Sequence, residues 1–108
     1  MGYIHFYTDW CGYCQKMDNE TFSDTDVVES LHNNFVSIKI NAENNPDIAR
    51  KFGADRFPFN WFVNKQTEPV GRQPGFIPAE TMVHILGYLA SGKYEKMEFN
   101  NYLEQKQK

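Results

Sequence analysis

Two cysteines, Cys11 and Cys14, carry the chemistry that this sequence offers, and only Gly12 and Tyr13 separate them. A structural disulfide framework would spread several pairs along the chain, whereas one pair that closes four residues constrains the unfolded chain very little. The pair is therefore interpreted as reactive. In such a pair, one thiolate attacks a disulfide and the second cysteine resolves the mixed disulfide, without a metal or an organic cofactor.

The position of Cys11 indicates which cysteine attacks. It follows a short aromatic and β-branched run, residues 3–8, which predicts a buried strand, and residues from Cys11 to about Met17 suit a helix. A thiolate at the start of a helix is stabilised by backbone N–H groups and the helix dipole, which lowers its pKa from about 8.5 to roughly 3.5–7.5. Cys11 is thus predicted to be the nucleophile, and Cys14 the resolving cysteine.

A zinc site is an alternative for the same two cysteines, because the C-x-x-C spacing is common in zinc-binding modules. A closed zinc site needs four ligands, and the candidates that remain are His5, His32 and His84, which form no local pair. A purely structural disulfide is a further alternative. The sequence favours thiol chemistry over both, and we expect no metal and no cofactor.

The rest of the sequence predicts strands and helices in alternation. After the first helix, a second helix starts at a Ser23–Asp26 capping box and ends near residue 34, and a strand follows over 35–41. A third helix runs from Asn45-Pro46 to a stop at Gly53. Two strands over 59–63 and 69–72 and a helix over 78–90 complete the pattern. The helical crossovers favour parallel pairing of the first strands, and the last two strands form a predicted hairpin. This pattern predicts an α/β sandwich.

Apolar periodicity predicts which residues of these elements face the core. The core-facing positions are Val27, Val28 and Leu31, Val36, Ile38 and Ile40, and Ile48, Ala49 and Phe52. Residues 1–92 are predicted to form the domain. Residues 93–108 are predicted to be an extension with a weak helix from Tyr94, an approximate stripe of Tyr94, Met97, Tyr102 and Leu103, and a frayed charged end.

Composition excludes several classes of protein. The 108 residues suit one domain, and 16% of them are aromatic, so disorder is excluded. A net charge of −3 offers no basic surface for nucleic acid or anionic lipid. The sequence contains no run long enough to span a bilayer and no signal peptide at its start, but a removed export signal would leave the same sequence, so the compartment stays open.

The sequence resembles the thioredoxin-like family over most of its length. Residues 10–14, Trp-Cys-Gly-Tyr-Cys, resemble the W-C-G-x-C active site of that family. Residues 8–11 and 21–24 are similar to the C-terminal periplasmic domain of DsbD and to related small thioredoxin-like proteins. Further matching positions are Asn45-Pro46, Phe52-Gly53, Phe57-Pro58, and Gly75-Phe76 ahead of Pro78-Ala79-Glu80.

The resemblance implies a thioredoxin fold, a three-layer α/β/α sandwich with a mixed sheet of about four strands, without the first strand and helix of full-length thioredoxins. It also implies a cis peptide bond between Phe57 and Pro58, packed beside the cysteines, with the Phe57 backbone free to pair with an extended substrate. Phe59 stands where the family usually carries threonine. Substrate preference is therefore left open.

His5 and Lys39 mark a second departure from the family. His5 lies six residues before Cys11, where the family carries a buried acidic residue, and Lys39 falls where the family has the lysine that partners it. The imidazole is a candidate base that accepts the proton of Cys14. The alternative is a core histidine bonded to the backbone.

The remaining candidates are aromatic residues and two further histidines. Tyr13 is expected to tune the reduction potential through local hydrogen bonding. Trp10, Phe57, Phe59 and Trp61 are candidates for an apolar rim that docks polypeptides, although alternation along a strand places some of them in the core. His32 and His84 are expected to be solvated on helices.

These features favour a small, monomeric, bacterial-type thiol–disulfide oxidoreductase that reduces protein disulfides and is recharged by a redox partner. A disulfide isomerase or oxidase of the same fold is the first alternative, because these enzymes share the active site and differ in reduction potential. A non-catalytic adaptor with idle cysteines is another. The resemblance to the DsbD domain favours a role outside the cytoplasm.

Overall fold

A four-stranded mixed sheet forms the centre of the molecule, and the computed structural model describes residues 1–106. The strands are β1 (Gly2–Tyr7), β2 (Val36–Asn41), β3 (Phe59–Val63) and β4 (Pro69–Pro74). Their spatial order is β2-β1-β3-β4, with β1 parallel to β2 and antiparallel to β3, and β3 antiparallel to β4. The predicted parallel pair and the predicted hairpin are both confirmed.

Helices cover both faces of this sheet. They are α1 (Gly12–Lys16), α2 (Thr25–Asn34), α3 (Pro46–Lys51), α4 (Ala79–Ala90) and α5 (Phe99–Lys106), and a π-helical turn, Met17–Thr21, continues α1. Val27 of α2 and Met82 of α4 pack with Tyr3 on one face, whereas Ala49 of α3 packs with Phe6 on the other. The three-layer α/β/α thioredoxin fold predicted from the sequence is confirmed.

Strand β2 differs from its prediction, because much of its apolar face is exposed. Val36 is 75% exposed and Ile38 is also exposed, while Ile40 packs against the core that contains Phe6 and Ala49. The six residues of α3 span about 9 Å, whereas the six residues of a strand span about 20 Å. Helix α3 therefore covers only the end of β2 near Ile40. Ile48 of α3 is exposed as well.

The start of α2 also differs from its prediction. Asp24, not Ser23, is the N-cap, and its carboxylate accepts hydrogen bonds from the backbone N–H groups of Asp26 and Val27 at 3.0 and 3.1 Å. The Ser23 hydroxyl instead donates to the carbonyl of Asn19. Val28, predicted to face the core, is exposed, whereas Val27 is buried, because consecutive residues of a helix point in directions about 100° apart.

The start and stop of α3 follow the sequence in part. Pro46 occupies the first turn and Gly53 is left-handed at a φ of 67°, both as predicted. Asn45 occupies the N-cap position, but its side chain caps no backbone N–H group, because its amide donates to the backbone carbonyl of Asn41. That bond closes the loop between β2 and α3.

The chain after α4 packs back onto the same layer. A 3₁₀ turn covers Lys93–Glu95, and the helix begins only at Phe99, later than predicted. Tyr102 is buried against α4, where a Cβ atom on Gly87 would lie 2.8 Å from its hydroxyl.

The proposed frayed end includes residues 107 and 108, which lie outside the described residues, and the boundary at residue 92 stays a prediction. Within residues 1–106, no helix has the length and apolar character needed to cross a membrane.

The N-cap of α2 gives a direct test of this local structure. Asp24→Ala should lower the free energy of unfolding by about 1 kcal/mol, because two backbone N–H groups lose their acceptor. Ser23→Ala is the matched control and should change stability by less than about 0.5 kcal/mol, since that hydroxyl is exposed. Urea unfolding of both variants measures this, and a larger loss for Ser23→Ala would contradict the assignment.

Candidate active site

Cys11 and Cys14 lie at the junction between the end of β1 and the start of α1. Cys11 is the N-cap of α1, and its sulfur accepts a hydrogen bond from the backbone N–H of Cys14 at 3.1 Å. The two cysteines form a disulfide, with 5.2 Å between their Cα atoms. The predicted placement at a strand end and a helix start is confirmed, and the same N–H group can stabilise a thiolate on Cys11 once the disulfide is reduced.

Burial distinguishes the two cysteines. Cys11 is 7% exposed and Cys14 is 3% exposed. Cys14, Met17 and Thr21 are all buried, so they form the sheet-facing side of α1 and its π-helical turn. The Thr21 hydroxyl donates to the carbonyl of Ile77 and fixes the far end of this segment. Cys11 is therefore slightly the more exposed of two buried residues.

Exposed aromatic residues flank the disulfide. Trp10 is 72% exposed and Tyr13 is 64% exposed, and Gly12 between the cysteines is exposed too. Trp10 and the half-buried Phe57 line a groove of about 410 Å³ that runs along α3. This surface is apolar and adjacent to Cys11, as a docking surface for polypeptides requires.

Two residues proposed for that rim belong to the core instead. Phe59 is buried beside Phe6 and Ala49. Trp61 is half-buried, and its indole N–H donates to the carbonyl of Phe52 at 2.8 Å. Both residues alternate along β3 onto the face that α3 covers, so the rim reduces to Trp10 and Phe57.

The Phe57–Pro58 segment lies at the same end of the sheet as the cysteines. The peptide bond between these residues is cis. Phe59 pairs with Phe6, which places residues 57 and 58 opposite the end of β1 that leads to Cys11. Pro58 is buried, and its carbonyl accepts a hydrogen bond from the backbone N–H of Gly75 at 2.7 Å.

His5 belongs to a buried cluster of polar side chains. It is 1% exposed, and its Nδ1 lies 3.0 Å from Oδ1 of Asn60 and 3.2 Å from the hydroxyl of Tyr3. The edge of Phe22 packs against the imidazole, with 4.9 Å between ring centroids. His5 is thus held by side chains, not by the backbone, and its Nε2 has no hydrogen-bond partner within residues 1–106.

Burial sets the protonation of His5. Desolvation lowers its pKa below the ordinary value for histidine, and the nearby charge of Lys39 lowers it further, whereas the hydrogen bond with Asn60 and the charge of Asp18 oppose the change. Desolvation is the largest of these effects. The imidazole is therefore neutral at pH 7. Burial likewise raises the pKa of the Tyr3 hydroxyl, which stays protonated.

Lys39 pairs with a residue that the sequence did not single out. It lies opposite His5 in the parallel register, but its ammonium group contacts Oδ1 of Asp18 at 2.6 Å and lies 5.0 Å from the centre of the Phe22 ring. A neutral imidazole offers no negative charge, so the cation turns to the carboxylate in the π-helical turn. Both side chains are about half exposed, and such a pair contributes about 0–1 kcal/mol.

Asn60 is the functional candidate that sequence reasoning missed. It is fully buried, and its amide nitrogen donates to the carbonyls of Gln73 and Gly75 at 2.9 and 3.1 Å. A signal was present, because Asn60 is the one polar residue in the aromatic strand that runs over 59–63. A polar residue in the middle of a buried strand needs hydrogen-bond partners, and here they include His5.

Among the described residues, the histidines considered for a zinc site form no metal-binding group with the cysteines. His5 is committed to Asn60, His32 is exposed on α2, and His84 is half-buried on α4. The solvated position predicted for His84 is therefore only partly correct. Across residues 1–106, no group of three or more histidine, cysteine or acidic side chains is placed to hold a metal ion.

The lowered pKa of His5 predicts how stability depends on pH. The unfolded chain takes up a proton at histidine near pH 6.5, whereas folded His5 resists protonation, so the free energy of unfolding should fall as the pH drops below about 6.5. In His5→Asn the side-chain amide retains a donor toward Asn60 but does not titrate, so part of this slope should vanish. Chemical unfolding of both oxidised proteins at pH 7.5 and 5.5 measures it, and equal slopes would contradict the assignment.

Comparison with known proteins supports the fold. The profile of the thioredoxin-like domain family matches residues 3–90. A thioredoxin-fold protein from Helicobacter pylori superposes with a TM-score of 0.83 over 97% of this chain and 78% of that one, at 16% identity. The C-terminal domain of DsbD from Neisseria meningitidis superposes with a TM-score of 0.64 over 78% of this chain and 76% of that domain, at 21% identity.

Sequence comparison also reaches larger enzymes. Protein disulfide-isomerase 5-2 of Arabidopsis thaliana is 32% identical over 56 residues, which are 52% of this chain but 13% of the plant protein. The chain therefore corresponds to a small part of that relative. Since the family profile covers well over half of the chain and the cysteine pair lies within it, the protein belongs to the thioredoxin-like domain family.

Proposed function

We propose that this chain is a thiol–disulfide oxidoreductase that reduces protein disulfides through Cys11 and Cys14. The hydrogen bond from the backbone N–H of Cys14 to the sulfur of Cys11 carries the proposal, because it places a donor on the attacking sulfur. Charge-assisted bonds of this kind favour the thiolate and lower the thiol pKa.

The reaction starts from the reduced pair. The Cys11 thiolate attacks one sulfur of a substrate disulfide, a bond forms between Cys11 and that sulfur, and the other substrate sulfur leaves as a thiolate that takes up a proton. Cys14 then loses its proton and attacks the sulfur of Cys11, and the second substrate sulfur leaves. Two electrons pass to the substrate, and the protein ends with the Cys11–Cys14 disulfide.

His5 is proposed as the base that accepts the proton of Cys14. Its buried Nε2 has no partner within the described residues, and its imidazole is neutral at pH 7 because burial lowers its pKa. A neutral imidazole can accept a proton, whereas an imidazolium cannot. Lys39 acts on this base only through its charge, since its ammonium group pairs with Asp18.

Trp10, Tyr13 and Phe57 are proposed to contact the substrate polypeptide. Trp10 and Tyr13 are the exposed neighbours of Cys11, and Phe57 lines the groove beside Trp10. Phe57 precedes the first paired residue of β3, so the sheet does not use its backbone, which can bind an extended substrate. Phe59, buried in the core, has no part in substrate selection. Gly12 adds no side chain that would shield the sulfur of Cys11.

The partners follow from this chemistry. Substrates are proteins with accessible disulfides, and a second dithiol protein recharges the pair, because the chain holds no other cysteine. The likeness to the DsbD domain supports a bacterial protein that works outside the cytoplasm, and we propose a monomer.

Variants of the two cysteines test the mechanism. Cys11→Ser should abolish the reduction of insulin disulfides, because no thiolate is left at the accessible position. Cys14→Ser should retain the first attack and accumulate a mixed disulfide with the substrate, which intact-protein mass spectrometry detects. If Cys11→Ser retains full activity in a binding or reduction assay, the chain is an adaptor with idle cysteines.

The direction of electron flow is tested separately by the reduction potential of the pair. Equilibration with glutathione, followed by tryptophan fluorescence, should give a value near the roughly −270 mV of thioredoxin if the chain is a reductant. A value between about −180 and −120 mV would instead assign it to the isomerases or oxidases, which the relatedness to a plant protein disulfide-isomerase also allows.

A further inference from the structure

The hydrogen-bond partners of Asn60 determine how its side-chain amide is oriented. Both hydrogens of the amide nitrogen are used, one by the carbonyl of Gln73 at 2.9 Å and one by the carbonyl of Gly75 at 3.1 Å. Carbonyl oxygens can only accept, so this orientation of the amide is the one that satisfies them. The Oδ1 atom of Asn60 therefore points toward Tyr3 and His5 as an acceptor.

This orientation in turn determines which nitrogen of His5 carries the proton. The Tyr3 hydroxyl donates its hydrogen to Oδ1 of Asn60, so it has none left for Nδ1 of His5. At 3.0 Å, Nδ1 faces an oxygen that can only accept, and it must therefore be the protonated nitrogen. In the neutral imidazole the lone pair then lies on Nε2, the atom without a partner within residues 1–106.

The imidazole and the resolving cysteine lie in the same layer of the molecule. His5 and Tyr3 alternate onto the same face of β1, where Tyr3 packs with Met17 in one core. Cys14 lies one turn before Met17 on the buried side of the same helical segment. Phe22, directly after that segment, packs its edge against His5.

We propose that Asn60 is a positioning residue that holds the proton of His5 on Nδ1, so that Nε2 is free to accept the proton of Cys14. The inference rests on the proposed function, because it concerns the resolving step. The thiol proton of Cys14 moves to Nε2, directly or through one bridging water. The resulting thiolate attacks the sulfur of Cys11, the Cys11–substrate bond breaks, the leaving sulfur takes up a proton from solvent, and Nε2 returns its proton to solvent.

Several titratable or charged groups face this imidazole. Tyr3 and Tyr7 flank it along β1, Lys39 lies across the strand pair, and Asp18 lies in the π-helical turn. The Tyr3 hydroxyl stays protonated because burial raises its pKa. Lys39 and Asp18 carry opposite charges and pair with each other, so their effects on His5 largely cancel. Asn60 is thus the group that selects the tautomer.

The tautomer itself can be measured in the unaltered protein. Nitrogen-15 NMR of histidine-labelled, reduced protein at pH 7.5 distinguishes a protonated ring nitrogen from one with a free lone pair. We expect His5 to carry its hydrogen on Nδ1 and to leave Nε2 unprotonated. A hydrogen on Nε2 would overturn the inference, whatever the behaviour of any variant.

Two variants of Asn60 separate a tautomer role from a purely structural one. Asn60→Asp retains an acceptor for Nδ1–H and adds a negative charge, so it should retain the tautomer and shift the pH midpoint of resolution upward. Asn60→Leu removes the acceptor and should slow resolution at pH 7.5 by about fivefold, the factor that one neutral hydrogen bond contributes. Asn101→Ala, on the exposed side of α5, is the control and should change neither quantity.

Kinetics with 5,5′-dithiobis(2-nitrobenzoate) separate the two chemical steps. Attack by Cys11 releases the first coloured thiolate, and attack by Cys14 on the mixed disulfide releases the second. His5→Ala should slow the second release by about a hundredfold, as loss of a general base does, with little change in the first. Loss of the first release in the unaltered protein would refute the proposed function itself.

The remaining outcomes of these kinetic experiments test the role of Asn60 and leave the proposed function unaffected. A normal first release with a second release that neither Asn60→Asp nor Asn60→Leu alters would overturn the role of Asn60. Equal loss in both variants, with no movement of the pH midpoint, would also overturn it, since that pattern reflects disturbed packing. A higher pH midpoint in Asn60→Asp, slower resolution in Asn60→Leu and the expected tautomer together support it.

Discussion

The pairing of β1 on both of its edges is the constraint on which the rest of this molecule depends. Hydrogen bonds to β2 on one side and β3 on the other make β1 an inner strand of the sheet. Its two faces then supply side chains to both cores, Tyr3 to the first and Ile4 and Phe6 to the second. Its carboxyl end delivers Cys11 to the start of a helix. Fold, core and site are therefore tied to a single six-residue strand.

Strands β1 and β3 together bring polar side chains into the protein interior. A buried polar group without a partner costs about 1–3 kcal/mol, so an asparagine, a histidine and a tyrosine in one layer are tolerated because they bind one another. Asn60 satisfies both its donors on carbonyls and its acceptor on Tyr3 and His5. Within this group, Nε2 of His5 is the atom without a partner among the described residues. The free-energy cost of burying it is explained by its proposed role as the acceptor of the Cys14 proton in the reduced protein.

Sequence reasoning succeeded where local patterns decide structure. Adjacent residues determine the cysteine spacing, the strand before it and the left-handed stop at Gly53, and the sequence predicts each of these features. It failed where packing over distance decides. Exposure of Val36 depends on the short length of α3, which follows β2 in the chain, and the choice of Asp24 over Ser23 depends on how the π-helical turn ends. The contact between His5 and Asn60 spans 55 positions, which no local pattern reports.

The exposed half of β2 has a consequence for how the protein behaves at high concentration. As one of the two outer strands of the sheet within residues 1–106, β2 presents backbone donors and acceptors beside the exposed side chains of Val36 and Ile38. Such an edge is a template for a neighbouring extended chain, and natural proteins commonly oppose this with a lysine on the strand. Lys39 is that lysine, and Asp18 keeps it in place. The lysine that lies opposite His5 in the strand register thus also places a charged side chain on an exposed edge strand, a feature that opposes edge-to-edge pairing.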